Sequence, residues 1–182
     1  MKFTAKQRQL IVRTVAALIA AVIAGTGYLM FADGGAPEGA FIVERVVDGD
    51  TIVVREQDFF NAETYTIRLI GVNTPETVDP RKAVECFGEE ASAFLKRELP
   101  VDSAVYLDAD ADKPNTDSFD RLLRYVIRAD DTKLINKLVI EEGYGHEADY
   151  NEPYMYKDEF VAAQKSAADA KRGLWADDAC VK

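Results

Sequence analysis

Histidine is almost missing from this chain of 182 residues, which has His146 alone beside two cysteines and one tryptophan. Two cysteines and a single histidine cannot easily supply the four ligands of a closed zinc site, which argues against a zinc centre. Basic residues are short as well, with 22 Lys and Arg against 32 Asp and Glu. The first 32 residues hold four of the basic side chains (Lys2, Lys6, Arg8, Arg13) and no acid, so residues 33–182 carry 18 basic and 32 acidic groups, a net of −14. A surface of that sign repels a polyanion at long range, which disfavours a passive nucleic-acid-binding module. It leaves room for an enzyme with a bound divalent cation and a few local arginines, because salt screens the far field beyond ~8–10 Å. Internal repeats are absent, and so is low complexity outside the N-terminal run. The length suits one domain with a real core plus an appendage.

The appendage is N-terminal. After the basic flank, residues 1–14, comes an 18-residue stretch without charge, residues 15–32. It is slightly shorter than the ~20 residues of a usual bilayer-spanning helix, and the basic side is expected to stay in the cytoplasm. A cleaved signal peptide is the competing reading, but its apolar region is normally ~7–15 residues followed by a small-x-small site, and no convincing one follows here. An uncleaved membrane anchor is favoured, and both readings place the rest of the chain outside the cytoplasmic membrane. Cys86 and Cys180 fit that compartment most simply as one disulfide tying the C-terminal tail to the body, two free thiols being the alternative.

Residues 33–40, rich in Gly and Pro, read as a linker. Residues 41–47 are β-branched and apolar, Asp48-Gly49 is a strong hairpin signal, and residues 51–54 continue as the second strand. A third strand is expected over 65–72, a helix over 83–99 ended by Pro100, and strands over 104–107 and 122–127. A helix is expected from Thr132 through Glu142 and another from Pro153 to Gly173. The acidic loop between residues 108 and 117 has half of a calcium-loop pattern but lacks its glycine and glutamate, and reads as solvated. The pattern supports an α+β fold, mainly antiparallel, with a five-stranded oligonucleotide-binding (OB-fold) barrel and three helices as the natural candidate.

Chemistry concentrates in two stretches. Val47-Asp48-Gly49-Asp50-Thr51 places two acids on a hairpin turn, and a rigid hairpin carboxylate suits a hard cation that takes oxygen ligands. Arg68-Leu-Ile-Gly-Val-Asn73-Thr74-Pro75-Glu76-Thr77 places a guanidinium in an apolar strand, where a core-facing charge is costly, and an acid just past the break. A guanidinium fork matches a phosphate in two places at once.

These two stretches, followed by Phe87-Gly-Glu-Glu-Ala-Ser-Ala-Phe94, Thr116-Asp-Ser-Phe-Asp-Arg121 and Arg172-Gly-Leu-Trp175 in that order, resemble the thermonuclease (staphylococcal nuclease) family. The resemblance covers residues 41–176 and leaves 177–182 as a tail. It implies an OB-fold barrel and a Ca²⁺-dependent endonuclease acting on DNA and RNA; no protein partner is inferred, and a monomer is expected. By motif, Asp50 matches a calcium ligand, Asn73 stands where a second aspartate ligand is usual, and Thr74 matches a carbonyl donor. Arg68 and Arg121 match the phosphate-binding arginines and Glu76 the catalytic acid. Phe119 replaces a tyrosine and Asp120 a glycine. Phe119 and Tyr150, the latter from the cluster Tyr144, Tyr150, Tyr154 and Tyr156, are expected at the substrate. The alternative is a catalytically weak barrel of the same fold that binds nucleic acid or another ligand at the cell surface.

Overall fold

The computed structural model describes residues 37–57, 62–77, 84–148 and 153–180. The uncharged run 15–32, its basic flank and Tyr150 lie outside the described residues, as does the linker before Pro37. Among the described residues no helix is long and apolar enough to cross a membrane.

Five strands close into a barrel, in the spatial order Phe41–Val46 (β1), Thr51–Arg55 (β2), Thr64–Leu69 (β3), Leu122–Arg128 (β6) and Ala104–Asp108 (β5). Strand β1 (Phe41–Val46) turns at Asp48-Gly49 into β2 (Thr51–Arg55), which pairs antiparallel with β3 (Thr64–Leu69). The register of β1 on β2 shifts between Val43 and Arg45, the kind of irregularity that lets a strand bend around a small barrel. Strands β5 (Ala104–Asp108) and β6 (Leu122–Arg128) form a second antiparallel pair, β5 closes onto β1, and β6 runs parallel to β3. Val43, Ile52, Val54, Ile67, Leu69, Val105 and Val126 are buried as parts of one core, capped by helical side chains such as Leu95, Ile140 and Phe160.

The third strand is shorter than its apolar run. It ends at Leu69, the chain turns at Gly71 with φ of +71°, and Val72–Asn73 leaves the barrel as β4. There β4 pairs with a second two-residue strand, β7 (His146–Glu147). Neither can be seen by periodicity, which needs a longer run.

The three helices among the described residues all start later than the sequence suggests. Helix α1 is Gly88–Glu98, preceded by Phe87 in a left-handed conformation at φ 71°. Ala91, Leu95 and, just past its end, Leu99 form a buried stripe at helical spacing. Helix α2 is Ile135–Glu141; Thr132 sits outside it, at φ 58°. Its buried face is Ile135, Asn136, Val139 and Ile140, whereas Leu134 and Leu138 are only half-buried. Helix α3 is Lys157–Asp169, buried along Phe160, Ala163 and Ala167 with Ala170 exposed. A short 3-10 turn, Gly173–Trp175, follows. The start of α3 is held back because the N–H of Met155 donates to Asp110 Oδ2 at 2.8 Å.

The acidic loop is not simply solvated. Asp110 is buried and accepts a second hydrogen bond from the Tyr125 hydroxyl and a third from the N–H of Asp112. Asn136, fully buried, donates to the carbonyls of Ile70 and Arg124 and accepts from the N–H of Val126. That one amide ties α2 to the end of β3 and to β6.

Candidate active site

Strand β3 lies between β2 and β6, and this places the charged groups. Arg68 on β3 is opposite Thr51 of β2 on one side and Leu123 of β6 on the other. Residues just before β2 (Asp48, Asp50) and just before β6 (Asp117, Arg121) therefore arrive at the same end of the barrel as Arg68.

Arg68 faces inward rather than to solvent. It is only 9% exposed; Nη2 meets Asp50 Oδ2 at 3.0 Å, and Nη1 donates to the carbonyls of Leu69 and Val72 at 3.1 and 2.7 Å. Asp50 Oδ2 also accepts from the N–H and hydroxyl of Thr74 at 3.0 and 3.2 Å. Gly49 makes that approach possible: a Cβ there would lie 2.7 Å from the Thr74 hydroxyl oxygen. On its other oxygen, Asp50 accepts from the Thr51 hydroxyl at 3.0 Å. Thr51 Oγ1 in turn accepts from Arg121 Nη1 at 3.2 Å. The two arginines are thus joined through one threonine hydroxyl and one carboxylate. Asp117 holds the rest of Arg121, taking Nε and Nη2 on Oδ2 at 2.8 and 2.7 Å. Burial alone would raise the pKa of Asp117, but the hydrogen bonds from Arg121 and from the N–H of Phe119 bring it below its ordinary value.

Asp48 is the second acid of the hairpin. Its Oδ1 accepts the N–H of Asp50 at 3.1 Å. Burial first, and the charge of Asp50 second, push its pKa up to about 6. Two crowded carboxylates at a barrel mouth favour a cation, and Asp48 and Asp50, with Thr74 reaching Asp50, offer oxygen, the ligand type of a hard divalent ion. No group of three or more His, Cys, Asp or Glu placed to hold a metal occurs among the described residues. The oxygen donors present suit a hard divalent ion in kind, and carbonyl, amide and water oxygens would be needed to complete a site.

A cavity of about 350 Å³ opens beside the arginines, lined among others by Arg68, Arg121, Asp117, Lys113, Phe119 and Tyr154. Phe119 is 77% exposed at its rim, and the Arg121 guanidinium lies 5.4 Å from its ring centre. The Lys113 ammonium lies 5.9 Å from the Tyr154 ring centre. Glu76 stands apart from this lining, on the loop after β4. It is half-buried, with Oε1 accepting the N–H of Thr77 at 2.8 Å. Asn73 is exposed at the β4–β7 ladder, opposite His146.

Of the other tyrosines, Tyr144 stacks on Phe94 at 4.1 Å and Tyr156 packs on Tyr125 and Phe160. Tyr154 is buried and donates to Glu147 at 2.6 Å. Cys86 and Cys180 form the expected disulfide. Thr51, Asp48, Asp117 and Lys113 were not singled out as site residues from the sequence. Asp48 and Thr51 carry a signal inside the motif at residues 47–51 and Asp117 inside the motif at residues 116–121; Lys113 carries none.

A family model described as "Staphylococcal nuclease homologue" matches residues 66–177. The chain belongs to that family. Among similar proteins of this nuclease family, the thermonuclease of Staphylococcus hyicus is 36% identical over 142 residues, 78% of this chain and 79% of its own. The thermonuclease of Staphylococcus intermedius is 33% identical over 136 residues, 75% of this chain and 76% of its own. An SPbeta prophage-derived endonuclease of Bacillus subtilis is 33% identical over 141 residues, 76% of this chain and 45% of its own. As a member of the staphylococcal nuclease family the chain is a nuclease, a phosphodiester hydrolase.

Proposed function

We propose that this nuclease is an exported, calcium-dependent endonuclease that hydrolyses phosphodiester bonds of DNA and RNA. The observation that carries the reading is the linked pair Arg68–Asp50–Thr51–Arg121 beside one cavity. Three of the five N–H donors of each guanidinium are engaged by the contacts above, which fixes each fork in place. The remaining donors of both forks are then preorganised for a phosphoryl oxygen, the arrangement that stabilises charge developing in a transition state. Glu76 takes the proton of the attacking water, a role worth ~10²–10⁴-fold for a well-placed base. Phe119 offers an aromatic face at the rim on which a base of the substrate can stack; Tyr150 is proposed for the same role from its place in the tyrosine cluster 144–156. Asp50, Asn73 and Thr74 would hold a divalent ion, which when bound polarises the phosphate and lowers the pKa of nearby water.

Export is supported by the basic flank and uncharged run at the N-terminus and by the disulfide, a bond that persists in oxidising compartments. Mass spectrometry of the mature N-terminus separates a retained anchor from a cleaved signal. For the activity, single-stranded DNA and RNA are incubated with the full chain in Ca²⁺ and in chelator, beside Glu76→Gln. Cleavage that needs Ca²⁺ and falls at least ~10²-fold in the variant is expected. Full activity in chelator, or in Glu76→Gln, overturns the mechanism. The second reading, a catalytically weak barrel, draws on the small number of carboxylates near the hairpin. Calcium-independent binding of oligonucleotides without cleavage is its signature.

A further inference from the structure

The loop carrying Glu76 is held from outside the barrel. Glu76 and Glu85 make a reciprocal pair across it: the N–H of Glu85 donates to the Glu76 carbonyl at 2.9 Å, and the N–H of Glu76 donates to Glu85 Oε2 at 3.0 Å. Gly88, the first residue of α1, lies directly against the same loop, since a Cβ there would meet Thr77 Cγ2 at 2.6 Å and the carbonyls of Glu76 and Pro75 at 3.1 Å. Between Glu85 and Gly88 sits Cys86, bonded to Cys180 across 94 residues of sequence.

The tail that carries Cys180 is itself fixed at Gly143 and His146. The N–H of Leu174 donates to the Gly143 carbonyl at 2.8 Å, and Trp175 meets His146 edge-on at 5.1 Å. His146 is the ladder partner of Asn73. The segment from Gly173 to Cys180 thus touches the neighbours of both ends of the Asn73–Glu76 stretch, at His146 and at Cys86.

We propose that Glu85 and the Cys86–Cys180 disulfide are positioning residues for Glu76, the tail acting as a brace that holds the loop carrying the catalytic carboxylate against the start of α1. The inference rests on the reading of Glu76 as the base. Its physical basis is that reacting groups displaced by about 1 Å can lose ~10²-fold in rate, whereas a loop closed only through its own backbone has little to resist such a shift.

The test uses the full chain and five variants: Cys86→Ser, Cys180→Ser, the double Cys86→Ser/Cys180→Ser, Glu85→Ala and Glu85→Gln. At a temperature where circular dichroism shows each protein folded, the cysteine variants and Glu85→Ala are expected to lose ~10- to 100-fold in kcat with KM within about twofold. The double variant should match either single, because one bond is lost in each case. Glu85→Gln should recover most of the rate, since its amide oxygen accepts the same N–H. Hydrogen exchange at the Glu76 amide gives a readout without activity: its protection should fall in Cys86→Ser and Glu85→Ala and persist in Glu85→Gln. Wild-type kcat and unchanged protection in a folded protein without the bridge would overturn the brace. Should the cysteine variants fail to fold, the two Glu85 variants decide it. If the wild type cleaves nothing, the nuclease reading fails while the exchange experiment still judges the brace.

Discussion

At the scale of single residues, the site is a set of charges that hold one another. Arg68 and Asp50 are 11% and 8% exposed in their side chains, so each is the main compensation for the other. Removing one partner of a buried pair typically costs ~3–5 kcal/mol, because the other charge stays behind. Arg68→Ala is expected to lose that much in urea unfolding in chelator, and to regain part of it in excess Ca²⁺, which would supply a charge to Asp50. Equal losses with and without calcium would mean that Asp50 takes no cation. Asp120 makes a different point. Its φ of 60° is left-handed, a region costing ~1–2 kcal/mol for most residues, with Asp among the better tolerated. The glycine usual there has a plain steric reason. Asp120→Gly is expected to raise the melting temperature by ~2–4 °C, the equivalent of about 1 kcal/mol in a chain of this size, and to lower KM by removing an acid beside Arg121. A lower melting temperature would show that Asp120 holds a contact worth more than its strain. Here the motif was legible in the sequence, and the individual contacts were not. Nothing in Thr51 announces that its hydroxyl will stand between an arginine and a carboxylate, since that depends on β2, β3 and the β6 approach meeting at one end.

At the scale of elements, strands were easier to read than helix ends. The β-branched, apolar runs on either side of the Asp48-Gly49 turn mark β1 and β2 in the sequence. Helix starts depend on tertiary contacts, because none of the three helices has a side-chain hydrogen bond at its N-cap. The clearest case is α3, where Asp110 holds Met155 before the first turn. Burial alone would raise the pKa of Asp110, but the N–H of Met155, the Tyr125 hydroxyl and the N–H of Asp112 together bring it below its ordinary 3.8. A carboxylate whose folded pKa is depressed stabilises the fold above its unfolded value, and that contribution fades as pH falls through the folded pKa. Asp110→Asn isolates it, because an amide oxygen can still accept from Met155 but carries no charge. The wild type should exceed the variant in stability at pH 7, by roughly 1–3 kcal/mol for charge-assisted hydrogen bonds, and the gap should close below pH 3.8. Urea unfolding at a series of pH values measures it; a gap independent of pH would mean the clasp does not depend on ionisation. The sequence pattern of that loop, three acids at alternate positions, looks like a solvated turn, and only the approach of Tyr125 and α3 reveals one of them as structural.

At the scale of the whole molecule, the acidic balance has a kinetic consequence. Beyond residue 32 the net charge is −14, so a nucleic acid approaches against the far field and is gripped only locally. Arg68, Arg121 and Lys113 line the cavity, but the two arginines already carry Asp50 and Asp117 as partners. With roughly one or two phosphates neutralised, counterion release gives a slope of about −0.7 to −1.4 for a single strand in log affinity against log salt. Screening works the other way: the Debye length shrinks from ~30 Å at 0.01 M to ~10 Å at 0.1 M, which takes most of the acidic surface out of range. The two effects oppose each other and are of similar size. The logarithm of kcat/KM for a short single-stranded oligonucleotide, at fixed Ca²⁺ and increasing KCl, is therefore expected to stay nearly level or to rise at the low end before it falls. A protein that grips its substrate along a basic track shows the opposite, a steep fall from the start. A slope steeper than about −3 would require four or more phosphate contacts by the same rule, and so a basic path well beyond the three cations of this cavity.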